Sequence, residues 1–150
     1  MKILVTGGAG FIGSQFIRAW LAHHPADRIV NLDALTYAGS LERLGGLDGG
    51  RYQFIHGTIC DSGAVRHVLA GCEMIVHFAA ETHVDRSITN AASFLRTNIE
   101  GTHMLLEAAR AGGVWRFVHI STDEVYGPVL EGAVDETAPL APKSPYAASK

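Results

Sequence analysis

Nearly unbroken apolar runs alternate along this chain with segments whose apolar residues recur every three or four positions. KILVTG (2–7), RIVNLDA (28–34), YQFIHGT (52–58), MIVHFAA (74–80) and RFVHIS (116–121) read as five short strands. Between them, residues 10–24 carry apolar side chains at 12, 16, 17, 20 and 21, a helical stripe that Pro25 ends. Residues 62–71 read as a shorter helix with Gly71 as its stop, and 93–113 as one long helix ended by Gly112–Gly113. A Gly-rich loop covers 36–50, with a helical turn around Leu41–Leu44, and a Pro- and Gly-punctuated loop covers 127–143. In SPYAASK, Ser144 suits an N-cap and Pro145 the first helical position. Parallel strands need crossover helices, and strands buried on both faces are apolar throughout. The pattern predicts an α/β domain with a doubly wound parallel sheet in the strand order 3-2-1-4-5.

The first strand runs into VTGGAGFIGS, which opens the first helix. Gly8, Gly10 and Gly13 satisfy GxGxxG, and Gly7, Gly10 and Gly13 satisfy GxxGxxG. Alone the match is weak; strand before and helix after make it a candidate phosphate cradle of Rossmann type. Glycine lets the backbone approach a pyrophosphate, and the helix start offers it free N–H groups. Asp33 lies twenty residues beyond Gly13, at the end of the second strand. A carboxylate there can accept from ribose hydroxyls and repels a 2′-phosphate, which favours NAD over NADP.

Composition narrows the class. A hydrophobic fraction of 47% with 18% charged residues suits a folded domain rather than a disordered chain. A net charge of −3 offers no basic excess for nucleic acid. The longest apolar runs are strand-sized, so no membrane span is expected. The glycines of MKILVTGGAG interrupt any secretory core, leaving a cytoplasmic location as the default. Cys60 and Cys72 lack a CxxC or metal spacing and read as free thiols. The histidines form no HExxH-like pattern, so no metal site is expected.

Strand four ends in FAAETHVDR and strand five in ISTDEVYG. Sheets of this kind bind ligands beyond the carboxyl ends of their strands. Thr122, Asp123 and Glu124 then form either a plain turn or an acid–base cluster. Two adjacent carboxylates do not readily ionise together, so one tends to keep its proton, and the sequence does not say which. Tyr146 and Lys150 are four apart and share a helix face. An ammonium there favours the phenolate form, so such a tyrosine can serve as a base; an ordinary surface Tyr–Lys pair is the alternative.

Together, TGGAGFIG, Asp33, Tyr146 and Lys150 resemble the extended short-chain dehydrogenase/reductases. More narrowly, NLDALTYAG, FAAETHVDRSI, TNIEGT, STDEVYG and SPYAASK resemble the dTDP-glucose 4,6-dehydratase family, over essentially the whole chain. That resemblance implies conversion of dTDP-glucose to dTDP-4-keto-6-deoxyglucose. The steps are transient NAD-mediated oxidation at C4, elimination of water across C5–C6 and hydride return to C6. It implies that Tyr146 takes the O4 proton, Lys150 supports it and binds the nicotinamide ribose, and Thr122 hydrogen-bonds near O4. Glu124 would remove the C5 proton and Asp123, protonated, would protonate the leaving C6 hydroxyl. Gly7, Gly10, Phe11, Ile12, Gly13, Asp33, Thr36, Ile59, Ala80, Thr82, Thr97, Tyr146 and Lys150 would contact NAD, with Thr82 also near the substrate. The implied partners are a nucleotide sugar and a second copy of the chain; the helix 93–113 is the candidate for that contact, with ordinary packing on the sheet as the alternative.

Two departures stand out. The family pattern GDICD is GTICD here, so Thr58 replaces a carboxylate implied to contact the adenine amino group. The expected effect is NAD binding weaker by one hydrogen bond, about 0.5–1.5 kcal/mol. Family chains are also much longer, supplying later strands and a substrate-binding region. Residues 1–150 therefore read as the amino-terminal NAD-binding Rossmann domain, incomplete, with its fifth strand left as an edge and the 150-residue chain alone expected to be inactive. Other readings are a different nucleotide-sugar epimerase, decarboxylase or dehydratase, or a non-catalytic NAD-binding fragment.

Overall fold

Five parallel strands form one sheet in the order β3-β2-β1-β4-β5, as the alternating pattern predicts. They are β1 (Lys2–Thr6), β2 (Arg28–Asp33), β3 (Tyr52–His56), β4 (Met74–His77) and β5 (Arg116–His119). The helices are α1 (Phe11–His23), α2 (Ser62–Leu69), α3 (Val84–Thr89), α4 (Ala91–Phe94), α5 (Thr102–Gly112) and α6 (Pro145–Ser149). This computed structural model describes residues 1–150 and divides into two units. The first holds Met1–Ala79 and Gly101–Ile120; the second holds Ala80–Glu100 and Ser121–Lys150.

The first unit is the sheet and its helices. Successive residues of a strand face opposite sides, so β1 divides its side chains between two cores. Ile3 and Val5 join Ile17 and Leu21 of α1, with Leu44 from the 3₁₀ turn Leu41–Leu44. Leu4 joins Val65 and Val68 of α2 and Leu105 and Ala109 of α5. Ile3, Leu4, Val5, Ile17 and Leu105 have no exposed surface, and each such side chain contributes about 1.5–3 kcal/mol. Register follows from the same burial: Ile3, Leu4 and Val5 lie opposite Ile29, Val30 and Asn31 on one side and Met74, Ile75 and Val76 on the other. Asp61 caps α2 by accepting from the backbone N–H groups of Gly63 and Ala64 at 2.8 and 3.1 Å.

The second unit packs α3, α4 and α6 with the 3₁₀ turn Asp123–Tyr126. Here the structure departs from the sequence reading. The helix expected over 93–113 is not uniform: α4 widens into a π-helical segment, Leu95–Gly101, before α5 begins. One widened turn inserts a single residue, which apolar periodicity cannot register. Helix α3 was not anticipated, because HVDRSITN has a single half-buried apolar position, Val84, and exposes Ile88. Strand β4 ends at His77 rather than Ala80.

Candidate functional site

The glycine loop lies between β1 and α1. Gly7 turns the chain with φ +72°, and a Cβ added there would lie 2.5 Å from the backbone N of Ala79. A Cβ on Gly13 would lie 2.5 Å from the Gly7 carbonyl oxygen. Both positions are closed to any side chain. The loop is therefore held through its peptide groups. Gly7 N donates to Leu32 O at 3.0 Å, and Gly10 N to Gly7 O at 3.2 Å. Gly8 N donates to Asn31 Oδ1 at 3.0 Å, and Ala9 N to Asp33 Oδ2 at 2.8 Å.

Helix α1 begins at Gly10 with no side-chain cap, so its start is left to an external acceptor. Phe11 and Ile12 on that first turn are 75% and 63% exposed, the reverse of what a helix packed on a sheet requires. Asp33 is buried and bound at both oxygens, its Oδ1 accepting from Leu35 N at 2.8 Å. It ties β2 to the glycine loop as well as standing where a ribose is expected. Thr36 is exposed. Ile59 is 3% exposed and packed in the core with Leu4 and Val65, so its side chain is turned away from solvent. Below the loop, Thr6 Oγ1 and His77 Nδ1 share a 2.6 Å hydrogen bond, and His77 Nε2 and Thr102 Oγ1 another of 2.9 Å.

The second unit carries the remaining candidates. Thr122 caps the turn Asp123–Tyr126, its Oγ1 accepting from Glu124 N at 3.3 Å and donating to Asp123 Oδ1 at 3.3 Å. STDE is thus a turn, and Thr122 with Asp123 builds it. The turn makes no use of the Glu124 carboxylate. Thr122, Asp123, Tyr126 and Lys150 line a cavity of about 610 Å³ together with Leu140 and Pro142. Burial pushes the Lys150 ammonium down to about 8. Tyr146 is buried, its ring edge-on to Phe94 with centroids 6.4 Å apart. Glu124, Ala80 and Thr97 are half-buried and Thr82 is exposed.

A five-residue helix such as α6 does not persist without outside support. Ser144 caps it by accepting from Ala147 N at 3.0 Å. Asn98, in the π-helical segment, donates to Ser149 Oγ at 2.8 Å and to Glu81 O at 2.9 Å, and accepts from Glu81 N at 2.8 Å. Ser149 in turn donates to Tyr146 O at 2.7 Å. The sequence reading missed Asn98 and Asn31. For Asn31 the available signal was a polar side chain inside the apolar run of RIVNLD; TNIEGT is mostly polar and offers no such signal for Asn98.

The family model for GDP-mannose 4,6 dehydratase matches residues 4–150. The chain belongs to that family. Within the GDP-mannose 4,6 dehydratase family, it is 57% identical over 155 residues to a dTDP-glucose 4,6-dehydratase of Streptomyces niveus, covering all of this chain and 46% of that protein. Among solved structures, the dTDP-glucose 4,6-dehydratase DesIV of Streptomyces venezuelae, with NAD bound, superposes with a TM-score of 0.95 at 54% identity, over all of this chain and 48% of that one. A UDP-glucose 4-epimerase of Thermus thermophilus, in complex with NAD, gives 0.88 at 36%, over all of this chain and 47% of that one. The chain spans about half the length of the curated relatives it matches. The fold of this GDP-mannose 4,6 dehydratase family member is therefore shared by dehydratase and epimerase alike, and the reaction must be argued from the side chains.

Proposed function

We propose that this chain supplies the NAD-holding and acid–base groups of a dTDP-glucose 4,6-dehydratase. The carrying observation is the Thr122-capped turn that sets Asp123 on the same cavity as Lys150. The close relatives named as dTDP-glucose 4,6-dehydratases support it. The glycine cradle fits a dinucleotide: α1 starts uncapped, and Gly7 and Gly13 leave no room for side chains. Gly7, Gly10, Phe11, Ile12 and Gly13 would hold the diphosphate, and Asp33 and Thr36 the adenosine. Ile59, Ala80, Thr82 and Thr97 would line the remainder. Bound NAD supplies the reversible two-electron acceptor for the sugar C4.

The chain's own residues move the protons. Tyr146 accepts the proton of the sugar O4, with Lys150 supplying a positive charge beside it. Thr122 hydrogen-bonds the same oxygen. A ketone at C4 acidifies the neighbouring C5 position, and Glu124 removes that proton. Asp123, protonated, donates to the departing C6 hydroxyl. Water is lost from adjacent carbons, so an acid and a base are needed close together, and two carboxylates adjacent in the sequence support that division of labour.

The test is the Asp123→Asn variant of the complete protein, given dTDP-glucose. The expected result is loss of the 4-keto-6-deoxy product while oxidation at C4 persists. A wild-type product that keeps its C6 hydroxyl would sink the reading. The epimerase alternative draws on the shared fold; an epimerase would be nearly indifferent to Asp123→Asn. We place the complete protein in the cytoplasm, where a nucleotide sugar and NAD would both be at hand. A homodimer through residues 93–113 is supported by the exposed Leu95, Ile99 and Leu106. No helix is long and apolar enough to cross a membrane.

A further inference from the structure

One side chain outside the cofactor set joins two of the loops that carry it. Arg43 lies in the 3₁₀ turn Leu41–Leu44 and donates from Nη1 to Ala9 O at 3.0 Å and to Ala38 O at 2.7 Å. Ala9 belongs to the glycine loop. Ala38 belongs to the segment after Asp33, where Gly39 N closes a turn on Thr36 O at 3.0 Å. One guanidinium therefore bridges the two stretches of chain on either side of Asp33. The turn that bears it is fixed in its turn: Arg18 of α1 donates from Nε to Arg43 O at 2.8 Å and from Nη2 to Gly45 O at 2.7 Å.

A loop of glycines has no side chains by which to be held, so its shape depends on partners for its peptide groups. Ala9 has no exposed surface. Its N–H goes to Asp33, and its carbonyl is shared by Ser40 N at 3.0 Å and Arg43. Ser40 N already joins the end of that segment to the glycine loop by one neutral bond. Arg43 adds a charged donor on the same carbonyl and reaches Ala38 as well, and so braces the spacing between the loops. A charged donor on two carbonyls is worth more than a neutral one. Ordering these loops before the ligand arrives removes that cost from binding.

We propose that Arg43 is a positioning residue for dinucleotide binding, a latch that sets the gap between the glycine loop and the segment Leu35–Gly39. The inference rests on reading the glycine loop as the NAD site. NAD affinity is measured by calorimetry on the apo forms of the complete wild-type protein and of Arg43→Met, Arg43→Lys and Arg51→Met, alongside urea unfolding of each. Arg51 is the comparison because it clamps carbonyls elsewhere, Leu21 O at 3.0 Å and Pro25 O at 3.5 Å. The expected result is an NAD dissociation constant raised about tenfold in Arg43→Met. Arg43→Lys recovers part of the loss, since an ammonium can still reach a carbonyl, and Arg51→Met leaves affinity unchanged. Equal affinity in Arg43→Met and wild type, or an equal weakening in Arg51→Met, overturns the latch. A wild-type protein that fails to bind NAD overturns the reading of the loop itself.

Discussion

Asn98 reaches across fifty-one positions of chain to donate its side-chain amide to the hydroxyl of Ser149 at 2.8 Å. The same amide satisfies both peptide groups of Glu81. Every hydrogen-bonding group of this 4% exposed side chain is used. It is the tie that lets five residues stand as a helix bearing Tyr146.

Replacing Asn98 by Leu keeps its volume and removes all of these bonds. Leaving the part-buried Glu81 peptide groups unpaired should cost about 2–4 kcal/mol in urea unfolding. Ser149→Ala, which removes two neutral bonds, to Asn98 and to Tyr146 O, and leaves both Glu81 bonds in place, should cost less, about 1–2 kcal/mol. Equal stabilities for the two variants would show that the amide is not what holds α6.

Lys150 gives a pH dependence with a definite sign. Burial lowers its folded-state value to about 8 from 10.5. Between those two values the unfolded chain binds more protons, so stability rises with pH across that window. Below pH 8 the ammonium is charged in both states, and its burial is a constant cost. Lys150→Met should therefore be more stable than wild type at pH 7, with the difference closing as pH approaches 10.5. Parallel stability curves for the two proteins would contradict this.

Gly7 and Gly46 both have positive φ, +72° and +79°, but only Gly7 is crowded. Gly46→Ala meets nothing within 4 Å and should cost only the left-handed strain, about 1–2 kcal/mol. Gly7→Ala adds a collision with the Ala79 backbone and should lose clearly more, with NAD binding lost as well. Thermal denaturation of the pair separates strain from collision.

Thr58 is exposed, and its hydroxyl accepts from Cys60 N at 3.2 Å. Thr58→Asp should strengthen NAD binding by one hydrogen bond, about 0.5–1.5 kcal/mol by calorimetry. An unchanged or weaker affinity would remove this position from the adenine contacts.

Much of this was legible beforehand because it is local. Apolar runs, the glycine spacing, Pro25, the Gly112–Gly113 stop and the Ser144–Pro145 start each act within a few residues. Strand β1 to helix α1, the 3₁₀ turn at Leu41–Leu44 and the start of α6 accordingly lie where the pattern puts them. The π-helical segment escaped because a single widened turn leaves the spacing of apolar residues almost unchanged. Helix α3 escaped because the one buried residue among its six is the polar Ser87.

The sequence by itself determined the order of the five strands, the parallel sheet and the chemical inventory of Thr122, Asp123, Glu124, Tyr146 and Lys150. Periodicity and residue type carry that information. Only the tertiary structure decided that Asn98 holds α6, that Asp33 and Arg43 brace the glycine loop, and that Ile59 turns its side chain into the core. Those are hydrogen bonds and contacts between residues far apart in the chain, and their partners exist only once the backbone has brought them within 3 Å.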